Sequence, residues 1–168
     1  MRRAAAWTAG RMGKYGECHI DRLIAMMHQY PPVATEFIDA IGEIGPVHEN
    51  VVPNIVDKLE KTIWGGYQGA NHEQLTNYVS HCLAVLAKFG PKSERATDML
   101  LRLLRPEESK RDTERTIKVL EVFEAIGPKI ADKAVPVIES SCLNSSEPRV
   151  RETAERVIKK LKGESSTK

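Results

Sequence analysis

Four short segments of this chain end in the same way, and that recurrence restricts its fold more than any other feature. AGRMG (9–13), IGEIG (41–45), LAKFG (86–90) and FEAIG (123–127) each close an apolar-periodic run on a glycine. Gly13, Gly45, Gly90 and Gly127 lie 32, 45 and 37 residues apart, and proline follows three of them as Pro46, Pro91 and Pro128. Glycine adopts the left-handed conformation that ends a helix, and proline cannot extend one, so each junction predicts a helix stop.

The likeness extends to both sides of the stop. One residue before each glycine stands Met12, Ile44, Phe89 or Ile126; four before, Ala9, Ile41, Leu86 or Phe123; eight before, Ala5, Phe37, Cys82 or Val119. Those intervals place one apolar stripe on a helix. After the glycine, offsets of ten and eleven give Leu23 and Ile24, Ile55 and Val56, Leu100 and Leu101, and Val137 and Ile138, apolar in every case and expected to be buried. Each unit therefore reads as helix, turn, helix. A single pair cannot bury its apolar faces alone, so pairs must stack on their neighbours. Helices are predicted at 2–13, 17–29, 33–44, 50–62, 72–89, 93–104, 112–126, 132–143 and 148–161. The last has no partner and caps the array with a Lys/Arg-rich, solvated face. Residues 163–168 are expected to be a flexible tail, leaving one domain over 1–162.

Several of these residues resemble the HEAT family, in particular its short phycobilin-lyase-type repeats: Val150–Arg151 opening a first helix, Ile-Gly-Pro at 44–46 and 126–128, and the Val-Pro of Val52–Pro53 and Val135–Pro136. The resemblance spans residues 1–161 and departs at the third repeat, where the interval stretches to 45 and Tyr78–Val79 replaces Val-Arg. It implies an all-α, right-handed solenoid of about four and a half repeats, in a family that is chiefly a binding scaffold. With Leu161 aligned on Met12, Met1 falls on Val150 and Arg2 on Arg151. The chain thus opens inside a first-helix motif, as an initiator methionine in place of valine or a piece of a longer array would.

Composition narrows the function classes. Hydrophobic residues at 41% and charged residues at 29% place the chain among globular proteins, outside the disordered range. No apolar run approaches the roughly 18 residues of a membrane span, and the start, broken by Thr8, Gly10 and Arg11, is no secretory signal. Cys18, Cys82 and Cys142 are odd in number and widely spaced, which predicts buried reduced thiols in a cytoplasmic protein. Residues 1–84 hold seven Lys/Arg against nine Asp/Glu, and residues 85–168 eighteen against fourteen, too small an excess to call for nucleic acid.

Offsets of nine and twelve should form a ridge opposite the apolar stripe: Arg22, Asn54, Met99 and Pro136, then Ala25, Asp57, Arg102 and Glu139. Mixed signs suit a protein groove, whereas duplex DNA would need consecutive phosphates neutralised. Arg22, Asn54, Asp57, Met99 and Arg102 are thus the candidate partner-binding residues. Trp64 and Tyr67, in the glycine-rich stretch IWGGYQGANHE (63–73), are candidate edge contacts, the plainer reading being a slack loop with Trp64 tucked onto helix ends. The pairs His48–Glu49 and His72–Glu73 invite comparison with the iron ligands of HEAT-like deoxyhypusine hydroxylase. Their register differs, so solvation near helix starts is the better account and no metal is expected. Neither a phosphate loop, a Gly-x-Ser-x-Gly, a His-Glu-x-x-His nor a Cys-x-x-Cys is present. The expectation is a non-catalytic, cytoplasmic scaffold for a protein or peptide, with no cofactor and no membrane or nucleic-acid partner. The alternative is a HEAT-like enzyme or nucleic-acid binder resembling a DNA glycosylase or a phycobilin lyase.

Overall fold

The apolar stripes are carried on α-helices, and no strand occurs among the described residues. The computed structural model describes residues 2–31, 34–65, 71–105 and 112–163. The helices are α1 (Arg2–Arg11), α2 (Ile20–Gln29), α3 (Thr35–Ile44), α4 (Val51–Trp64), α5 (His72–Phe89), α6 (Thr97–Leu103), α7 (Thr113–Ile126), α8 (Ala131–Cys142) and α9 (Pro148–Leu161). All four stop glycines take positive φ, from 53° at Gly13 to 100° at Gly45. At Gly45 and Gly127 the cap N–H still donates to the carbonyls of Ile41 and Phe123, so the last turn closes before the chain leaves the helix.

Two second helices begin later than the sequence suggests. Residues Gly13–His19 and Gly90–Ala96 wind as 3-10 turns before α2 and α6. Pro91 contributes no N–H to the second of these. In the first, a Cβ at the buried Gly16 would meet the carbonyl oxygen of Ala9 at 2.5 Å, so glycine allows the turn to press against the end of α1. A tighter i→i+3 winding suits such close entries.

The chain parts into two compact units, Met1–Phe89 and Gly90–Lys168. In the first, α1 packs most extensively on α3, and α3 packs in turn on α5. The second helices α2 and α4 touch each other, and α2 also meets α3 as α4 meets α5. First helices thus neighbour first helices, and second neighbour second. The core runs between the layers through Ile20, Phe37, Ile41, Ile55, Leu59 and Leu86. Close approach of α3 to α5 depends on Gly42, where a Cβ would stand 2.6 Å from Val85 Cγ2. The second unit repeats the order: α7 packs on α9, α6 on α8, and α8 on α9, around Leu100, Val119, Leu120, Phe123, Ala134 and Ile138.

Adjacent positions on a helix point about 100° apart, so offsets ten and eleven are both covered only where neighbours reach round the helix, as at Leu23 and Ile24. Leu23, Ile55 and Leu100 are buried at the first offset and Val137 only partly; Ile24 and Ile138 are buried at the second, with Val56 and Leu101 partly exposed. The expectation that both would be buried in all four repeats is corrected accordingly. Cys18 is corrected as well. It lies in the 3-10 turn and is exposed, whereas Cys82 and Cys142 are buried. Among the described residues, no helix is long and apolar enough to cross a membrane.

Candidate functional site

In the first unit the second-helix face carries a polar network built on two expected residues, Asn54 and Asp57. Asn54 Nδ2 donates to the carbonyl of Asn50 at 2.8 Å, which orients the amide so that Oδ1 faces His28 Nε2 at 3.0 Å. His28 Nδ1 lies 3.5 Å from Asp57 Oδ2, which also accepts from Lys61 Nζ at 2.7 Å. His28 on α2 therefore bridges Asn54 and Asp57 on α4, both partly open to solvent. Beneath them Lys58 is fully buried, its Nζ donating to the carbonyl of Tyr30 at 2.8 Å. Tyr30 is the C-cap of α2, so the ammonium sits where carbonyls are unsatisfied and the helix dipole is negative. Arg22, also on α2, is exposed.

In the second unit the expected ridge is only half present. Met99 is 3% exposed and belongs to the core, so its expected place on the surface is corrected. Since α6 begins at Thr97, Met99 and Leu103, four apart on one face, both turn inward, and Arg102 stays exposed. Beside it Asp98 accepts from Lys133 at 3.3 Å, and Glu139 from Lys162 at 3.0 Å. Trp64 is the last residue of α4, two residues beyond the expected helix end, and is 38% exposed. Tyr67 lies outside the described residues.

The first helices are linked by ion pairs between neighbours. Arg3 pairs with Glu36 and Lys88 with Glu43 at 2.8 Å, and a hydrogen bond of 2.6 Å joins His81 Nδ1 to Asp39 Oδ1. In the second unit Arg149 pairs with Glu114 at 2.6 Å, and both Arg156 and Lys160 with Glu124 at 3.2 and 3.4 Å. Exposed pairs of this kind contribute about 0–1 kcal/mol each. Their larger effect is to occupy basic side chains of α9 within the protein. Arg151 likewise donates to the carbonyls of Ser145 and Ser146.

An apolar groove of about 500 Å³, outside the expected sites apart from Arg22, lies between α1 and α2. Its lining includes Ala5, Ala9, Met12, Leu23, Met26 and Phe37, with His19 and Arg22 at its polar edge. Ala5 and Met12 occupy stripe positions that are buried in every other repeat, as Phe37 and Ile44, Cys82 and Phe89, and Val119 and Ile126. Here Ala5 is exposed and Met12 is 43% exposed, which corrects their expected burial. Trp7 at 65% and Tyr15 at 76% stand nearby in sequence, each with a cation over its ring: Arg11 at 5.7 Å and Lys14 at 5.4 Å. A readable sign was the absence of any acid from residues 2–16, beside Arg2, Arg3, Arg11 and Lys14.

Burial pushes the thiols of Cys82 and Cys142 upward, the latter to about 11, so neither is poised as a nucleophile. Among the described residues, no group of three or more His, Cys, Asp and Glu side chains gathers as metal ligands would. No known protein family, curated protein or solved structure matches this chain.

Proposed function

We propose that the chain is a right-handed α-solenoid of about four and a half HEAT-like helix pairs, acting as a non-catalytic cytoplasmic scaffold. It binds a protein or peptide along the second-helix face. The observation that carries this reading is the layer order within each unit: first helix against first, second against second. Stacking of that kind would bring residues at like positions of successive repeats side by side. A linear ligand then meets several of them together. The second helices carry Arg22, Asn54 and Asp57 in the first unit and Arg102 in the second, mixed polarity that suits a protein surface better than a row of phosphates.

The test is affinity capture followed by titration of the recovered partner against charge-reversed variants. Arg22→Glu and Arg102→Glu should each weaken binding by about 1 kcal/mol or more. Both residues are exposed, so the unfolding midpoint should stay nearly constant. A partner that binds Arg102→Glu and Asp57→Lys as tightly as the parent chain removes this face from consideration.

A further inference from the structure

The geometry points to the groove between α1 and α2 as a docking site for an acidic amphipathic helix of a partner protein, whose apolar side chains enter the groove. The inference rests on the scaffold reading above and adds a second surface and the chemistry of its occupant. Three observations converge on it. The stripe positions taken by Ala5 and Met12 are covered in every other repeat and open here. What they open is a concavity of about 500 Å³ with a mainly aliphatic lining, of a size to receive several apolar side chains. Small residues at Ala5, Ala6 and Ala9 along one wall let a helix approach closely, and Met12 and Met26 adapt to the shape of what enters.

The surrounding charge selects the occupant. Residues 2–22 contain Arg2, Arg3, Arg11, Lys14 and Arg22 against Glu17 and Asp21, and the groove itself is bordered by Arg22 and His19 with no acid in its lining. Arg3 is engaged with Glu36, but Arg11, Lys14 and Arg22 are all exposed. An apolar trough with a basic edge is complementary to a helix carrying apolar anchors at i, i+3, i+4 and i+7 with Asp or Glu beside them. A second copy presenting its own α1 would set arginine against arginine. Single-stranded nucleic acid would use the open faces of Trp7 and Tyr15, yet it would leave the aliphatic trough unfilled, and one face of each ring is already taken by Arg11 or Lys14.

The experiment uses the full chain and three fluorescein-labelled probes in anisotropy titrations at physiological salt. The first is a synthetic helix with leucine at i, i+3, i+4 and i+7 and glutamate flanking; the second has lysine at each glutamate; the third is single-stranded oligo-uridine. The acidic helix should bind at least about tenfold more tightly than the lysine helix. Ala5→Glu and Arg22→Glu should each weaken it about tenfold or more, with unchanged unfolding midpoints because both positions are exposed. Equal binding of the two helices overturns the proposal, as does tighter binding of oligo-uridine. If Asp57→Lys alters acidic-helix binding while Ala5→Glu leaves it intact, the groove is wrong and the second-helix face survives. Loss of the scaffold reading would show instead in the capture experiment with Arg102→Glu, a residue of the other unit.

Discussion

Gly42 offers a test of the packing of α3 on α5 whose magnitude can be worked from distances. Replacing it with alanine in mid-helix would ordinarily stabilise by about 1 kcal/mol through backbone propensity. Here the new Cβ would stand 2.6 Å from Val85 Cγ2 and 3.4 Å from Cγ1. Valine in a helix has one strongly preferred rotamer, and Val85 is only 6% exposed, so its methyl cannot swing aside. Overpacking of this kind costs about 1–3 kcal/mol, leaving Gly42→Ala a net destabilisation of about 1 kcal/mol. Val85→Ala alone removes two buried methyl groups and should cost about 2 kcal/mol. The double variant differs. With Cγ2 gone, the nearest Val85 atom to the new Cβ is Val85 Cβ at 3.5 Å, an ordinary contact. The propensity gain is then realised and part of the space refilled, so the pair should lose only about 1 kcal/mol against about 3 if the two changes were independent. Urea denaturation followed by circular dichroism would measure all four corners of the cycle. A double variant within about 0.5 kcal/mol of the sum would refute the packing of α3 against α5 described above.

Other consequences are simpler to check. Ile55→Ala empties a fully buried position and should cost about 2–5 kcal/mol in the same assay; a loss under about 0.5 kcal/mol would discard the repeat register. Asp112→Ala removes the side-chain acceptor of Arg115 N–H at 2.9 Å, the N-cap of α7, and should cost about 1 kcal/mol; an unchanged midpoint would show the cap to be dispensable. Burial raises the Cys82 and Cys142 thiols above their ordinary value of 9.0, so the folded state retains protons that the unfolded state releases. That contribution is fully present below pH 9.0 and is lost as pH rises toward and beyond about 11; rising stability from this source across that range would contradict the burial. Duplex DNA should bind weakly and be released at moderate salt, because acids interrupt the exposed charges and α9 spends several of its cations on Glu114 and Glu124, as Lys162 just beyond it does on Glu139. Nanomolar affinity in filter binding at physiological salt would favour the glycosylase-like alternative.

Helix order was legible in the chain because it is written locally. A positive-φ glycine ends a helix wherever it occurs, and Gly13, Gly45, Gly90 and Gly127 all do so. Less legible was the phase of each helix against its neighbours. Met99 looks like a ridge residue by counting from Gly90, yet it is buried while Arg22, at the same offset after an equally long 3-10 turn, is exposed, so the offset alone does not decide which side chain is covered. The same limit applies to Cys18 within Gly13–His19. Asn54 and Asp57 were found because α4 is regular from Val51 onward, whereas their partner His28 lies outside the offsets compared. The groove was missed for another reason. Ala5 and Met12 carry the same apolar signal as Phe37 and Ile44, and only the positions of neighbouring helices decide which of them is covered.

The side-chain links between helices also set a timetable. They join residues 23 to 45 positions apart, from Lys162–Glu139 to Lys88–Glu43, so each helix finds its partners in chain only just made. Synthesis at about 5–20 residues per second delivers the more distant partner within several seconds of the first. Helical proteins with such local contacts fold in about microseconds to milliseconds, far faster than the next helix is supplied. Assembly therefore waits on translation at every step, and the buried face of each new helix has a finished neighbour to meet as it emerges. A slowed codon between α3 and α5 would lengthen the time that the apolar side of α3 stands open, by the duration of the pause itself.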